Sequence, residues 1–163
     1  MTGKASTGII QFVNQTPVDW GAWKQATVET ATYSSEFVAA RMGVNKTIDL
    51  QYTLRAMGVP LEEPSWMLGD NHSVVTSSTI PHSTMSKRWV ALSYHRVRCM
   101  IAHGFIRFCH VDTKNNVLDV MTKALGYTSM WPFIQPLLFW RGDTNQPLIP
   151  SEKENPASTD IGE

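Results

Sequence analysis

The sequence predicts a mixed α/β domain, in which a β-hairpin is followed by helices that alternate with short buried strands. Two early segments, 6–14 and 18–28, are rich in β-branched and aromatic residues and flank the turn-forming "NQTP", as paired strands do. Further on, two long segments have apolar residues at helical spacing, and two short apolar runs are bounded by turn residues. The order β-β-α-β-α-α-β-α favours a mixed sheet flanked by helices.

The first long helix is predicted by apolar residues at spacings of four and three, which places them on one face. These residues are Tyr33, Phe37, Ala40, Val44 and Ile48. Gly58 and then Pro60 follow in the order expected at a helix C-terminus. Residues 65–69 form a short buried strand, and a brief helix is predicted over 71–77.

The second half of the chain continues the alternation. A helix near 86–103 has its apolar residues on one face, namely Val90, Tyr94, Val97 and Ile101. Gly104 ends this helix, a strand follows at 105–111, and a short helix is predicted at 117–124.

We divide the chain into a domain at 1–125, an apolar C-terminal extension at 126–144 and a disordered tail at 145–163. The extension contains "MWPFIQPLLFW". Because Pro132 and Pro136 each remove a backbone donor, we predict that it packs on the domain as an irregular segment. The tail is polar and contains three prolines, which is typical of a mobile terminus.

Composition narrows the class of protein. The 14 basic and 14 acidic residues cancel, so no global field points to nucleic acid or membrane, although a local patch is compatible with this balance. Two cysteines do not form a disulfide framework and fit a reducing compartment. The N-terminal segment lacks the apolar core of a signal peptide. We therefore expect a soluble, intracellular and cytoplasmic protein.

Three acidic residues fall at the ends of predicted elements, next to apolar residues. Glu36 is in the first turns of the long helix, Asp70 follows the strand at 65–69, and Asp119 is in the first turn of the helix at 117–124 if Asn116 caps it. Ligands collect at the carboxyl ends of strands in open α/β sheets. Each acid alone is more simply a cap or a solvated residue. Together they are costly without a bound cation, for which Mg²⁺ is the natural candidate.

Four strings, in this order, carry a resemblance: "VETATYSSEFVAAR", "MLGDNHSVV", "IPHSTMSKRWVALSYHRVR" and "NNVLDVMTKALGY". They resemble the ribonuclease H domain at the end of copia-type retrotransposon polyproteins. The match runs from about Ser6 to Thr144. The resemblance implies a ribonuclease H-like mixed sheet and cleavage of the RNA strand of an RNA–DNA hybrid with two Mg²⁺ ions, with Mn²⁺ as a possible substitute.

Carried over by motif, the metal-binding and catalytic residues are Glu36, Asp70 and Asp119. Glu36 corresponds to the glutamate of the family's "EAEY"-like segment, Asp70 to the aspartate of its "DN" segment and Asp119 to that of its "AD-hydrophobic-x-TK" segment. The implied partners are an RNA–DNA hybrid and the reverse transcriptase and integrase portions of the same polyprotein. In an intact element the location would be a cytoplasmic virus-like particle.

One departure from the family pattern affects both sheet and site. The family supplies its first catalytic aspartate from a strand that precedes the hairpin, whereas this sequence starts at "MTGKASTG". Asp19 matches a non-catalytic position and does not replace it. We therefore expect an N-terminally truncated copy without the first central strand, whose activity is reduced by orders of magnitude. The alternatives are a non-catalytic nucleic-acid- or protein-binding remnant, and a fragment that folds only when a partner donates the missing strand.

Basic residues around the second long helix suggest a surface for the hybrid. Candidate nucleic-acid-binding residues are Asn71, Lys87, Arg88 and Arg96, with His82 as a possible auxiliary residue near the scissile phosphate. Lysine and arginine on one face would track phosphates in a salt-dependent way. A solvated helix face is an equally good interpretation of these charges, and Asn71 is more simply a helix cap or a partner of Asp70.

A zinc site is the weaker metal hypothesis. His95, Cys99 and His103 are spaced by four residues, and Cys109 and His110 follow soon after. Thiolate and imidazole are good zinc ligands. However, residues eight apart drift around a helix, and no paired short cysteine motif accompanies them, so the sequence favours Mg²⁺.

Overall fold

Five α-helices and two small sheets make up the described part of this computed structural model, which covers residues 4–26, 31–85 and 88–138. The predicted mixed α/β class is confirmed, since one sheet is antiparallel and the other is parallel. Over these residues the strands form two separate two-stranded sheets instead of one mixed sheet.

The hairpin consists of β1 (Ser6–Val13) and β2 (Thr16–Lys24), paired antiparallel. Asn14 in the turn has a φ of 56°, a left-handed conformation that asparagine tolerates better than most residues. The ladder is irregular between Gln11 and Phe12. Both predicted strands are confirmed, and the second ends at Lys24.

Helix α1 (Thr32–Ala56) follows and is the longest element, at 25 residues. Phe37, Val44 and Ile48 from the predicted apolar face are buried. The helix ends where the sequence predicts, because Gly58 adopts a φ of +80° that other residues rarely reach.

The second sheet pairs β3 (Ser65–Gly69) with β4 (Ile106–His110) in parallel. A parallel pair requires a long crossover, which here contains α2 (His72–Thr79) and α3 (Ala91–Ala102). The predicted strands at 65–69 and 105–111 and the brief helix after Asn71 are confirmed.

Helix α3 starts later than predicted. A 3₁₀ turn at Arg88–Val90 precedes it, and residues 86 and 87 lie outside the described ranges. The predicted apolar face is present nevertheless: Val90, Tyr94 and Val97 are buried and Ile101 packs against the same core. The helix ends before Gly104, whose φ is +70°.

One hydrophobic core lies between α1, α2, α3 and the β3–β4 pair. Its buried residues come from these elements and the 3₁₀ turn: Phe37, Val44, Ile48, Val74, Val75, Val90, Tyr94, Val97, Met100, Ile106 and Phe108. Phe37 is central, with ring centroids 5.0 Å from Tyr33 and 5.6 Å from Tyr94. The core fixes the carboxyl ends of β3 and β4 relative to α1.

The last two helices are α4 (Asp119–Thr122) and α5 (Tyr127–Leu138). Helix α4 is shorter than predicted and packs on β1, where Thr122 and Leu118 border Gly8.

The irregular segment predicted after residue 126 is wrong for residues 127–138, because α5 is a regular helix. Its half-buried apolar residues follow helical spacing, namely Met130, Phe133, Ile134 and Leu137. Pro132 is exposed, so its ring does not interrupt the packed face. Burial of the apolar face offsets the missing proline donors.

The rest of the predicted extension and the predicted tail, residues 139–163, lie outside the described residues. Within the ranges that the structure describes, none of the helices combines the length and apolar character needed to cross a bilayer.

Candidate functional site

The candidate site is built at the carboxyl edge of the parallel sheet. Gly69 at the end of β3 is paired with His110 at the end of β4, and Asp70 comes next. The Val111 backbone N–H donates to the Gly69 carbonyl at 2.9 Å, and a His110 ring nitrogen, Nε2, lies 3.1 Å from the Asp70 carbonyl oxygen. Both contacts come from the end of β4, and together they hold the backbone at Asp70.

Asn71 caps α2, which is one of its predicted roles. Its side-chain oxygen accepts a hydrogen bond from the Val74 backbone N–H at 3.2 Å. This bond satisfies one of the free donors at the helix start. Capping also fixes the direction in which the chain leaves Asp70.

Asn116 connects Asp70 to α4. Its Nδ2 donates to Asp70 Oδ2 at 3.3 Å, while its Oδ1 accepts from the Leu118 backbone N–H at 3.1 Å. One amide side chain therefore ties the end of β3 to the start of α4. Asp119 lies in the first turn of that helix, as the sequence predicts.

Asp119 forms an ion pair with Lys123, the residue that follows α4. Lys123 Nζ lies 2.8 Å from Asp119 Oδ2, and the two residues are four apart on the helix. The Asp119 side chain is only 14% exposed, whereas that of Lys123 is 51% exposed. The ammonium thus reaches a mostly buried carboxylate from the solvent side.

Glu36 lies at the start of the second turn of α1 and is half-buried. Burial raises the pKa of its carboxyl above the ordinary value of 4.5, the negative charge of Asp70 raises it further, and the positive charge of Lys123 opposes the shift. Glu36 and Asp70 are therefore near enough to repel each other, and Lys123 is near enough to offset that repulsion.

All three acids influence the pKa of the Lys123 ammonium. Its hydrogen bond to Asp119 raises the pKa of the ammonium, and the charges of Asp119, Asp70 and Glu36 act in the same direction. The structure therefore brings the three sequence-predicted acids within electrostatic reach of a single cation. We call Glu36, Asp70, Asp119 and Lys123 the acidic cluster.

The donors of the acidic cluster have the chemistry that a hard divalent cation needs. Carboxylate oxygens are among the ligands that Mg²⁺ and Mn²⁺ prefer, and the charges of the three acids favour the positive charge of Lys123 there. In the described part of the chain, no group of three or more His, Cys, Asp or Glu side chains has the spacing of metal ligands. A metal would require the carboxylates to close around it.

The predicted nucleic-acid-binding residues are spread over several elements. Arg88 is exposed in the 3₁₀ turn, and Arg96 is exposed on α3, where its Nε donates to Asn45 Oδ1 at 3.2 Å. His82 is exposed in the loop after α2. Lys87 lies outside the described residues. Arg88 and Arg96 remain accessible to a polyanion.

Arg98, near these residues in sequence, has a structural role. Its guanidinium donates to the backbone carbonyls of Ser77, Ile80 and Pro81 at 2.7–2.8 Å and lies 5.2 Å from the Tyr94 ring centroid. It fastens the loop after α2 to α3. Tyr94 belongs to the core, as the sequence predicts.

The zinc hypothesis reduces to one pair of side chains. Cys99 Sγ lies 3.5 Å from His103 Nδ1, and the same ring nitrogen lies 2.7 Å from the Cys99 carbonyl oxygen. The latter contact is a local helix-end hydrogen bond, which accounts for the position of His103.

Sequence reasoning missed Lys123 as a member of the site. The signal was present, because an acid followed four residues later by a lysine forms an ion pair on a helix. It also missed that Asn116 contacts Asp70. The two residues are 46 apart in the sequence, so local spacing cannot predict that they are in contact.

The known proteins to which the chain is similar include two related polyproteins. The chain is 27% identical over 134 residues to the Retrovirus-related Pol polyprotein from transposon RE2 of Arabidopsis thaliana, and 26% identical over 134 residues to that from transposon RE1 of the same plant. Each match covers 79% of this chain and 9% of the polyprotein. No protein-family model matches, and no solved structure matches. Over most of its length, the chain is thus distantly similar to Pol polyproteins of copia-type retrotransposons.

Proposed function

We propose that this chain is a ribonuclease H-like domain derived from a copia-type Pol polyprotein. Its ancestral function would be hydrolysis of the RNA strand of an RNA–DNA hybrid during reverse transcription. The observation that carries the proposal is the hydrogen bond from Asn116 to Asp70, which ties the end of β3 to the start of α4 beside Asp119, together with the electrostatic effect of all three acids on Lys123. The similarity to Pol polyproteins supports it independently.

The placement of the acids supports a metal-binding role. Asp70 and Asp119 come from different elements and are linked through Asn116, while Glu36 raises the negative charge density beside Asp70. Concentrating like charges destabilises a fold unless a cation compensates them. We propose that Glu36, Asp70 and Asp119 hold Mg²⁺, or Mn²⁺, when the hybrid binds.

The bound metal would supply charge stabilisation and an activated water for phosphodiester cleavage. The residues of the chain would prepare the site for it. Asn116 holds the Asp70 carboxylate in one orientation. Lys123 keeps the cluster neutral enough to remain assembled before a metal arrives. Arg88 and Arg96 would position the phosphate backbone, and their contribution would fall as salt rises.

The test is a cleavage assay with a fluorescent RNA–DNA hybrid in Mg²⁺, Mn²⁺ or EDTA. We expect metal-dependent cleavage that Asp70→Asn abolishes. Asp112→Asn is the matched control, because Asp112 is exposed and caps a 3₁₀ turn outside the cluster. Cleavage unaffected by Asp70→Asn, or equal in EDTA, would contradict the proposal.

The second candidate is a non-catalytic nucleic-acid- or protein-binding remnant of the same fold. The observation that favours it is the Lys123–Asp119 ion pair, which places a cation in the cluster without any metal. Hybrid binding in EDTA separates the two candidates. Tight binding in EDTA that falls on Arg88→Ala and Arg96→Ala, with no cleavage in Mg²⁺, would favour the remnant.

A further inference from the structure

Strand β2 (Thr16–Lys24) forms an edge of the hairpin sheet. Within the residues that the structure describes, its only strand neighbour is β1. Three alternate side chains of β2 are exposed on one face: Trp20, at 63%, Ala22 and Lys24. An exposed edge strand can pair with a further strand, because part of its backbone N–H and C=O groups point away from its own ladder.

The hydrogen-bond pattern of the hairpin identifies the backbone groups that point outward. The Gln25 N–H donates to the Ala5 carbonyl at 2.9 Å, and the adjoining ladder partners are Lys24 and Ser6. In an antiparallel pair, hydrogen-bonded and non-hydrogen-bonded positions alternate. Every second residue of β2, counted back from its end, therefore directs its N–H and C=O away from β1. These residues are Lys24, Ala22 and Trp20.

This outward-facing segment is bounded at its N-terminal side. Asp19 is paired with Gln11 and Pro17 with Phe12, so Val18 is an extra residue between the two pairs. Such a bulge interrupts the alternation of the ladder, and Pro17 has no N–H to donate. A further strand can therefore pair with residues 20–24 and not with the residues before them.

We propose that two copies of this chain dimerise through β2, paired antiparallel about a two-fold axis at Ala22. This register uses all three outward-facing residues of both copies: Ala22 faces Ala22, and Trp20 of each copy faces Lys24 of the other. It forms about six backbone hydrogen bonds and joins the two hairpins into one continuous sheet. Two-fold dimers require a surface that complements itself, and this register provides one.

The side chains favour a second copy over an unrelated strand. A lysine on an edge strand normally discourages pairing. Here the Lys24 side chain meets the Trp20 ring of the second copy, and an ammonium is favourable over an aromatic face. Like charges do not face each other, since the register places Asp19 opposite Gln25. Asp19 is also neutralised within its own chain by Lys46.

The interface is small and reversible. Each Trp20 ring buries about 150–250 Å², and the whole contact covers on the order of 1,000 Å², at the lower end for specific complexes. We expect a dissociation constant of about 10–100 µM. The acidic cluster has no residue in β2, so this inference does not rest on the proposed function.

The experiment is analytical ultracentrifugation of the full chain, at concentrations below and above that constant. EDTA and a reducing agent exclude metal bridges and a disulfide through the exposed Cys99. We expect a monomer–dimer equilibrium. Trp20→Lys should weaken dimerisation at least about tenfold, because it removes a large buried ring and places like charges opposite each other. Leu92→Lys is the matched control on α3, where Leu92 is 80% exposed, and should dimerise like the wild type.

Adding Lys24→Glu to Trp20→Lys tests the register. The double variant carries opposite charges at the two facing positions, so dimerisation should recover relative to Trp20→Lys alone. Within one strand, positions 20 and 24 are about 13 Å apart. Recovery therefore reports a contact between copies and not one within a chain.

Ala22→Cys in a Cys99→Ser background gives a second measurement. Facing residues of a hydrogen-bonded pair have Cα atoms about 5.5 Å apart, a separation that a disulfide can span. Oxidised glutathione should therefore convert this protein into a covalent dimer. Leu92→Cys in the same background should remain monomeric under the same conditions.

Four results would overturn the proposal. The first is a chain that stays monomeric at every concentration or assembles beyond a dimer. The second is equal dimerisation of Trp20→Lys and Leu92→Lys, which would show nonspecific apolar contact. The others are a double variant that does not recover, and an Ala22→Cys protein that forms no more covalent dimer than Leu92→Cys.

Discussion

The two sheets belong to regions of very different internal packing. The helical body, which comprises α1, α2, α3 and the β3–β4 pair with the adjoining 3₁₀ turn, contains every residue of the hydrophobic core cluster. The hairpin unit, which comprises β1, β2 and α4, adds only Ile9 as a buried hydrophobic residue among those described. Its outer face exposes Val18 and Trp20, at 44% and 63%. Most of the folding free energy therefore belongs to the helical body.

The acidic cluster spans the boundary between these regions. Glu36 and Asp70 belong to the helical body, whereas Asp119 and Lys123 belong to the hairpin unit. The bond from Asn116 to Asp70 crosses between them. The chain can therefore remain folded while the cluster comes apart, because different contacts secure the fold and the site.

The largest effect should follow from damage to the helical body. Phe37 is completely buried between Tyr33 and Tyr94, so Phe37→Ala should lower the free energy of unfolding by about 3–5 kcal/mol. Leu92, on α3, is 80% exposed. Leu92→Ala should therefore change the free energy of unfolding by less than about 0.5 kcal/mol. Urea denaturation measures both. Similar midpoints for the two variants would show that the core is not where the structure places it.

A smaller effect should follow from separating the hairpin unit from the body. A Cβ added at Gly8 would lie 2.9 Å from Thr122 Cγ2 and 3.7 Å from Leu118 Cδ2. Gly8→Val should therefore displace α4 and cost about 1–3 kcal/mol. Hydrogen exchange should become faster at residues 119–122, while amides of α3 keep their protection.

Gly126→Ala is the matched control for this substitution, because nothing lies within 4 Å of a Cβ there. It should leave exchange in α4 unchanged. Uniformly faster exchange in the Gly8→Val protein would refute the division into two regions, since the whole chain would then open as one unit.

The smallest effect should be on pH dependence. Burial and the charge of Asp70 raise the pKa of Glu36 above 4.5, so the folded state binds this proton more tightly than the unfolded state. Stability should therefore fall as pH rises from about 4.5 through the raised pKa, and level off above it. In the Glu36→Gln protein this side chain cannot ionise, so its contribution to the loss of stability with rising pH should be absent.

Thermal unfolding across that pH window measures the difference. The Glu36→Gln protein should gain stability relative to the wild type as pH increases. Glu62→Gln, at an exposed position in the loop before β3, should follow the wild-type curve. A constant offset between Glu36→Gln and the wild type at every pH would show that Glu36 does not sense the cluster.

Local patterns predicted the elements of the helical body well, because each has a clear period and a clear end. Helix α1 is defined by its apolar spacing and by Gly58, and α2 by the cap at Asn71. Helix α5 was missed because the proline rule was given more weight than the spacing of Met130, Phe133, Ile134 and Leu137. The apolar spacing outweighs the helix-breaking effect of proline in this segment, because the apolar face packs and Pro132 lies outside that face.

The site was only partly predictable. Asp70 and Asp119 were found because each follows a recognisable element boundary. Their connection through Asn116 depends on tertiary packing between residues 46 apart.

The Lys123 ammonium acts as a tethered counterion. It reaches the cluster from its own backbone, one helical turn from Asp119, so its local concentration is set by the length of a side chain and not by the surrounding solution. A dissolved cation bound there, as proposed, would have to compete with this intramolecular ammonium. Changing Lys123 alone would then alter how readily the carboxylates take up such a cation.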